Sequence, residues 1–181
     1  MPEGCSTWPA IWEADLDTWP EGGEIDILEG ANDVGPNAVT LHTTSGCTMP
    51  VDRDQTGSTL ETDCDTPDPD SVGCGVVDSN KNSYGPAFNK NGGGWYALER
   101  TESSIKVWFW PRNGKPPSEV KSGKGQINTD SWVSRLLEDL VQSYILTPSF
   151  FFLGRVPRWL SSPTRSATSR KSSGGTTLSS T

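Results

Sequence analysis

The sequence predicts an all-β fold for this chain of 181 residues, on three observations. Nineteen glycines and fourteen prolines break the chain at short intervals, which marks a turn-rich protein. Hydrophobic residues reach only 32% and fall in short runs, several of which alternate with polar residues as strands do. Eight tryptophans supply bulky aromatic surface for packing or for ligand contact. The length suits one domain with a proper core.

Taken in order, Trp8-Pro9-Ala10-Ile11-Trp12 reads as a short aromatic extended segment. A loop through Asp15–Pro20 and a turn at Glu21-Gly22-Gly23 lead into a strand over Glu24–Glu29. Val39–Thr43 alternates and is expected to be its hairpin partner or near neighbour. Residues 44–94 are dominated by Gly, Asp, Asn, Ser and Pro and read as a long run of loops. Trp95–Thr101 and Ser104–Trp110 read as two strands joined by a tight connection at Glu102-Ser103, with Pro111 ending the second. Beyond Ser134 the character changes. Leu136–Val141 suits a turn or two of amphipathic helix, Ser149–Leu153 is a bare apolar patch, and thirteen of residues 161–181 are Ser or Thr. Such a tail cannot bury enough apolar surface to offset chain entropy and is expected to be disordered.

Charge and cysteine usage exclude several function classes. The net charge is -8, and residues 1–130 hold 21 acids against nine Lys and Arg. That acidic body repels nucleic acid and anionic membranes but is indifferent to a neutral polysaccharide. No apolar run approaches the roughly 20 residues that span a bilayer, and no secretory signal follows Met1. The cysteines Cys5, Cys47, Cys64 and Cys74 form no C-x-x-C pair, and His42 is the single histidine, so no metal site is expected. Two disulfides are the better reading, with Cys64–Cys74 the expected pair because it closes a short loop rich in Asp, Pro and Gly. Other pairings stay open.

The chemistry concentrates in Gly23-Glu24-Ile25-Asp26-Ile27-Leu28-Glu29-Gly30. Paired carboxylates are the working parts of most glycoside hydrolases. On a helix Glu24 and Glu29 would diverge by about 140°. On a regular strand Glu24 and Asp26 share one face while Glu29 points to the other. The three act together only if a bulge intervenes between Asp26 and Glu29, so the motif predicts a distorted strand. An exposed alternating strand with its acids merely facing water is the bland alternative. Trp12, Trp19 and His42 lie near in sequence, and indoles stack on the C–H faces of sugars, although core packing is the commoner fate of tryptophan. Trp108 and Trp110 suit core as well as cleft and are left out of the expected site.

Three blocks resemble glycoside hydrolase family 16, most nearly the fungal endo-1,3(4)-β-glucanases of laminarinase type. They are Gly4–Trp12, Trp19–Gly30 and Leu41–Met49, and later pieces such as Gly73–Val76, Ser83–Gly85, Asn91–Gly94 and Ile105–Arg112 follow in the family's order. The resemblance implies a β-jelly-roll sandwich of the concanavalin A-like lectin and glucanase type, with a cleft across its concave face. It implies an endo-acting, retaining β-glucan hydrolase acting on β-1,3 or mixed β-1,3-1,4 glucan. Glu24 would be the nucleophile, Glu29 the general acid and base, and Asp26 the residue between them that keeps the two in different protonation states. Trp12, Trp19 and His42 match positions lining the substrate cleft. The family implies secretion, no organic cofactor and a monomer.

The resemblance covers about residues 1–133 and stops there. Strands that the family places before Met1 and after Val133 are not in this sequence, so the chain reads as a sandwich truncated at both ends, with 134–181 as an unrelated Ser/Thr-rich tail. Arg100 stands where the family's pattern carries an aromatic residue, which weakens packing there or alters the cleft wall. A non-catalytic, lectin-like carbohydrate-binding module is the alternative from another class, and an inert fragment is a third.

Overall fold

The computed structural model describes residues 1–66, 72–124 and 127–132, together with the strands Leu137–Asp139, Ser149–Leu153 and Thr177–Ser180, the last three by their backbone. Two antiparallel sheets face one another, which is the sandwich that the sequence predicts. The first orders its strands β10-β1-β2-β3-β5-β4 and the second β8-β7-β6-β9. The strands are β1 (Ala10–Ala14), β2 (Glu24–Glu29), β3 (Ala38–His42), β4 (Ser58–Glu61), β5 (Cys74–Val77), β6 (Gly94–Arg100) and β7 (Ile105–Pro111). The terminal ones are β8 (Leu137–Asp139), β9 (Ser149–Leu153) and β10 (Thr177–Ser180). Among the described residues no helix is long and apolar enough to cross a membrane.

Alternation explains the strands. In β3, Val39 and Leu41 are buried while Thr40 and His42 are half-buried on the opposite face. β3 pairs with β2 as expected, and β6 pairs with β7 across the tight connection at 102–103. The core lies between the sheets: Ile25, Val39, Leu41 and Val76 from the first meet Tyr96, Leu98, Val107 and Phe109 from the second. The outer face of the β6–β7 pair carries a second cluster of Trp95, Ala97, Trp108 and Trp132, to which α2 (Ser118–Ser122) adds Val120. Trp108 is fully buried there and Trp110 packs against it, so both belong to the core.

Residues 44–94 are not loops throughout. They contain β4, β5 and α1 (Gly85–Lys90), which carries Pro86 in its first turn and buries Phe88. Four-residue strands and a helix of six residues are too short to show a period, and β5 contains a glycine. In place of the helical turn expected over 136–141, Leu137–Asp139 runs as a strand beside Ile105–Val107, so pairing to a sheet edge overrides the local pattern. The apolar run Ser149–Leu153 pairs with β6, and Thr177–Ser180 pairs with β1. The rest of the expected disordered tail lies outside the described residues.

Two side-chain expectations need correction. Cys64 and Cys74 form the expected disulfide, but Cys5 and Cys47 keep their thiols, so the second disulfide does not form. Counting cysteines cannot reveal that Cys5 sits in an exposed N-terminal turn while Cys47 packs partly against the core. Arg100 does not line the cleft. Its Nη1 lies 2.9 Å from Oε1 of Glu13, a residue only 3% exposed on β1, so the pair bridges the two sheets through the interior.

Candidate active site

Strand β2 carries the acids, and its register explains their placement. Asp26 lies opposite Thr40 and Glu29 opposite Ala38, so Ile27 and Leu28 together face the single residue Val39. The pairing with β1 slips at the same place, with Trp12 opposite Asp26 and Ile11 opposite Leu28. This is the bulge that the motif predicts. Ile27 and Leu28 both enter the core, at 0% and 2% exposure. Ala38 and Thr40 share one face of β3, so Asp26 and Glu29 share one face of β2. The neighbouring strands complete that face, with Trp12 beside Asp26 on β1 and His42 beside Glu24 on β3.

Each glutamate has its own indole donor. Trp19 Nε1 donates to Glu24 Oε2 at 2.6 Å, and Trp8 Nε1 donates to Glu29 Oε1 at 2.9 Å. Trp8 is 65% and Trp19 46% exposed, so both rings lie open on the surface beside the acids. Trp12 is half-buried and stands opposite Asp26 on β1. Trp8 is absent from the residues that sequence reasoning selects. A tryptophan 21 positions from its partner in a segment read as extended gives no signal of that contact.

Asp26 is the most enclosed of the acids, 2% exposed, with Oδ2 3.1 Å from His42 Nε2. Burial raises the Asp26 pKa above its usual value, the His42 hydrogen bond opposes that, and the charge of Glu29 adds to it. Glu24 is also raised, by burial first and then by the Asp26 charge, with the Trp19 N–H and His42 opposing. His42 is raised chiefly by its hydrogen bond to Asp26. Burial thus favours the protonated form of both acids, and the positive charge of a protonated His42 works against it. Atoms of Glu24, Asp26 and His42 lie within 4.8 Å of one another, a spacing that could admit a cation, but the Asp26–His42 contact and the Trp19 indole already serve these atoms.

The second nitrogen of His42, Nδ1, lies 3.3 Å from Thr66 Oγ1. Thr66 belongs to a strap that runs beside β3, joined by Thr43 N–H to Cys64 C=O at 2.9 Å and Thr66 N–H to Thr43 C=O at 3.0 Å. The Cys64–Cys74 disulfide ties this strap to β5. Gly73, at φ +77°, lies directly against β3: a Cβ there would come within 2.7 Å of His42 Nδ1 and 2.4 Å of Leu41 O. On the other side Gly30 lies against Tyr84, whose ring a Cβ would meet at 2.7 Å and whose hydroxyl donates to Gly30 C=O.

A sandwich whose bulged strand presents Glu24, Asp26 and Glu29 on one face, beside exposed indoles, is matched over residues 1–141 by the XgeA-like catalytic GH16 domain. The chain belongs to glycoside hydrolase family 16. It is 48% identical over 129 residues to a probable glycosidase of Schizosaccharomyces pombe, covering 70% of this chain and 30% of that one. It is 40% identical over 136 residues to an endo-1,3(4)-β-glucanase of Arthroderma benhamiae, covering 68% and 30%. Laminarinase 16A from Phanerochaete chrysosporium, solved with β-glucans in both donor and acceptor sites, superposes with a TM-score of 0.75 at 53% identity, over 77% of this chain and 47% of that one. An elongating family 16 β-1,3-glucosyltransferase gives 0.69 at 36% identity, over 86% and 54%. This family 16 chain thus spans about a third of those first relatives and about half of the solved structures.

Proposed function

We propose that this chain carries the catalytic face of an endo-acting, retaining β-glucan hydrolase, with a β-1,3 or mixed β-1,3-1,4 glucan as substrate. The observation that carries the reading is the β2 bulge, because it brings Glu29 onto the face that Glu24 and Asp26 already occupy. A two-step displacement needs two carboxyl groups flanking one bond. An extracellular setting agrees with the Cys64–Cys74 disulfide and with a neutral polymeric substrate.

In the first step a Glu24 carboxylate oxygen attacks the anomeric carbon while Glu29 gives its proton to the departing glycosidic oxygen. The product is a glycosyl ester on Glu24 and a shortened glucan. In the second step Glu29, now ionised, takes a proton from water as that water attacks the anomeric carbon and releases Glu24. Burial and the neighbouring Asp26 favour a proton on Glu24, while the Trp19 N–H and the positive charge of a protonated His42 act against them and favour the ionised Glu24 that the attack needs. Trp12, Trp19 and Trp8 offer ring faces and N–H groups beside the acids for successive glucose units.

Release of reducing ends from laminarin and mixed-linked β-glucan tests the reading, with Glu24→Gln as the control. Turnover that disappears in the control, with the product anomer first formed being β by NMR, is the expected result. Equal turnover in Glu24→Gln would remove the nucleophile assignment. Glucan binding without turnover by a folded wild-type chain would favour the lectin-like module.

A further inference from the structure

A bulge solves the problem of aiming Glu29 and creates another, because it leaves a distorted stretch of backbone inside the sheet. Buried backbone N–H and C=O groups need partners, and a strand with loose pairing can slip. Around Leu28 those partners come from one side chain. Asn37 Oδ1 accepts the Glu29 N–H at 2.8 Å, and Asn37 Nδ2 donates to the Ile27 C=O at 3.0 Å. A primary amide carries one donor edge and one acceptor edge, so Asn37 grips both sides of the bulge at once.

Asn37 is itself immobilised. It is 0% exposed. Its backbone N–H donates to Ser83 Oγ at 2.9 Å, and its C=O accepts the Asp78 N–H at 2.8 Å. Ser83, also fully buried, is fixed by the Tyr96 hydroxyl, which donates to its C=O at 2.7 Å from strand β6 of the opposite sheet. A chain of hydrogen bonds thus runs from Tyr96 through Ser83 and Asn37 to the backbone of Glu29.

We propose that Asn37 is a positioning residue for Glu29: its amide holds the β2 bulge closed and so fixes where the Glu29 carboxyl enters the cleft. The proposal rests on the acid and base role assigned to Glu29 above. It separates Asn37 from residues that merely support the sheet, because the group it orients matters most when the leaving oxygen needs a proton.

The experiment compares the full chain with Asn37→Ala and Asn37→Asp on two substrates. Laminarin has a poor leaving group, whereas 2,4-dinitrophenyl β-laminaribioside has one that departs without protonation. Asn37→Ala should lower kcat/KM on laminarin by about 100-fold, within the usual worth of general acid catalysis, and change it by less than about threefold on the aryl substrate. In Asn37→Asp, a protonated carboxyl reproduces the amide, with O–H in place of N–H, whereas an ionised one repels the Ile27 C=O. The titratable residues bonded around it are Glu29 on β2 and Asp78 after β5, through their backbone N–H groups, and Tyr96 on β6, through Ser83. Asn37→Asp should therefore retain laminarin turnover at acid pH and lose it at lower pH than the wild type does. Equal losses on both substrates, or an unaltered pH profile in Asn37→Asp, would overturn the proposal.

Amide hydrogen exchange at Glu29 gives a readout independent of turnover. It should accelerate at least about tenfold in Asn37→Ala while the amides of β6 and β7 keep their protection. Unchanged exchange overturns the proposal even in an active enzyme. Accelerated exchange in a chain that hydrolyses no glucan would uphold the grip of Asn37 on the bulge and refute the hydrolase reading instead. If Asn37→Ala does not fold, Asn37→Asp across pH carries both comparisons.

Discussion

The imidazole of His42 joins the buried carboxyl of Asp26 to a disulfide-tethered strap, with Nε2 3.1 Å from Asp26 Oδ2 and Nδ1 3.3 Å from Thr66 Oγ1. His42 and Asp26 belong to adjacent strands but lie two pairs apart in the ladder, since His42 is opposite Glu24 and Asp26 opposite Thr40. The contact is diagonal. When protonated, His42 places its positive charge where it touches Asp26 and acts through space on Glu24.

That geometry fixes a pH effect. His42 lowers the pKa of both Glu24 and Asp26, against burial, which raises them. Replacing it by asparagine removes the charge, so both carboxyls hold their protons to higher pH. The acid limb of kcat/KM should move upward in His42→Asn, with about a 10- to 100-fold loss at the optimum, the worth of a charge-assisted hydrogen bond. A pH–rate profile on laminarin checks it, and an acid limb that stays in place would contradict the coupling.

Trp19 acts on Glu24 alone. Its N–H stabilises the Glu24 carboxylate, so Trp19→Phe keeps an aromatic face for a sugar ring but lets the Glu24 pKa rise further. The acid limb should again move upward. Its loss at the optimum should not exceed about tenfold, since one exposed hydrogen bond has gone. Kinetics across pH distinguish this from a simple binding defect, in which only KM would change.

Arg100 and Glu13 form the one charged bridge between the sheets among the described ion pairs. Burial raises the Glu13 pKa and Arg100 opposes it. Arg100→Leu leaves the Glu13 carboxylate enclosed without its cation, a change that typically costs about 3–5 kcal/mol. With the cation gone the folded pKa of Glu13 rises further, so the cost is greatest at neutral pH and shrinks as acid protonates Glu13. Glu13→Gln with Arg100→Leu should recover much of the loss. Urea unfolding at pH 5 and pH 7.5 measures both effects.

Asp78 gives a second stability signature. Burial pushes its carboxyl up to about 6, against the N–H of Asn80 and the Ser83 hydroxyl. A raised folded pKa means that the folded state holds the proton longer than the unfolded chain does. Stability is therefore lost as pH rises from the unfolded value of 3.8 through about 6. Asp78→Asn should remove that slope and stabilise the protein near pH 7, by about 1–3 kcal/mol. Unfolding curves between pH 4 and pH 7 decide it, and an unchanged slope would assign the titration to another group.

The β class, the antiparallel pairs β2–β3 and β6–β7, and the need for a bulge between Asp26 and Glu29 are all readable from the chain alone. These were legible because alternation and the spacing of three acids are local properties, and a strand has only two faces to offer. Cys64–Cys74 was within reach for the same reason, since ten residues separate the partners. That Trp8 serves Glu29, that Arg100 answers Glu13, that Trp108 belongs to an outer core, and that Asn37 holds the bulge emerge only once the chain is folded. Trp8 and Glu29 lie 21 positions apart, Glu13 and Arg100 lie 87 apart, and Asn37 lies eight positions from Glu29. Such contacts carry no period in the chain. They exist because two sheets, once closed over a common core, enclose polar groups that must find partners wherever the fold has brought them.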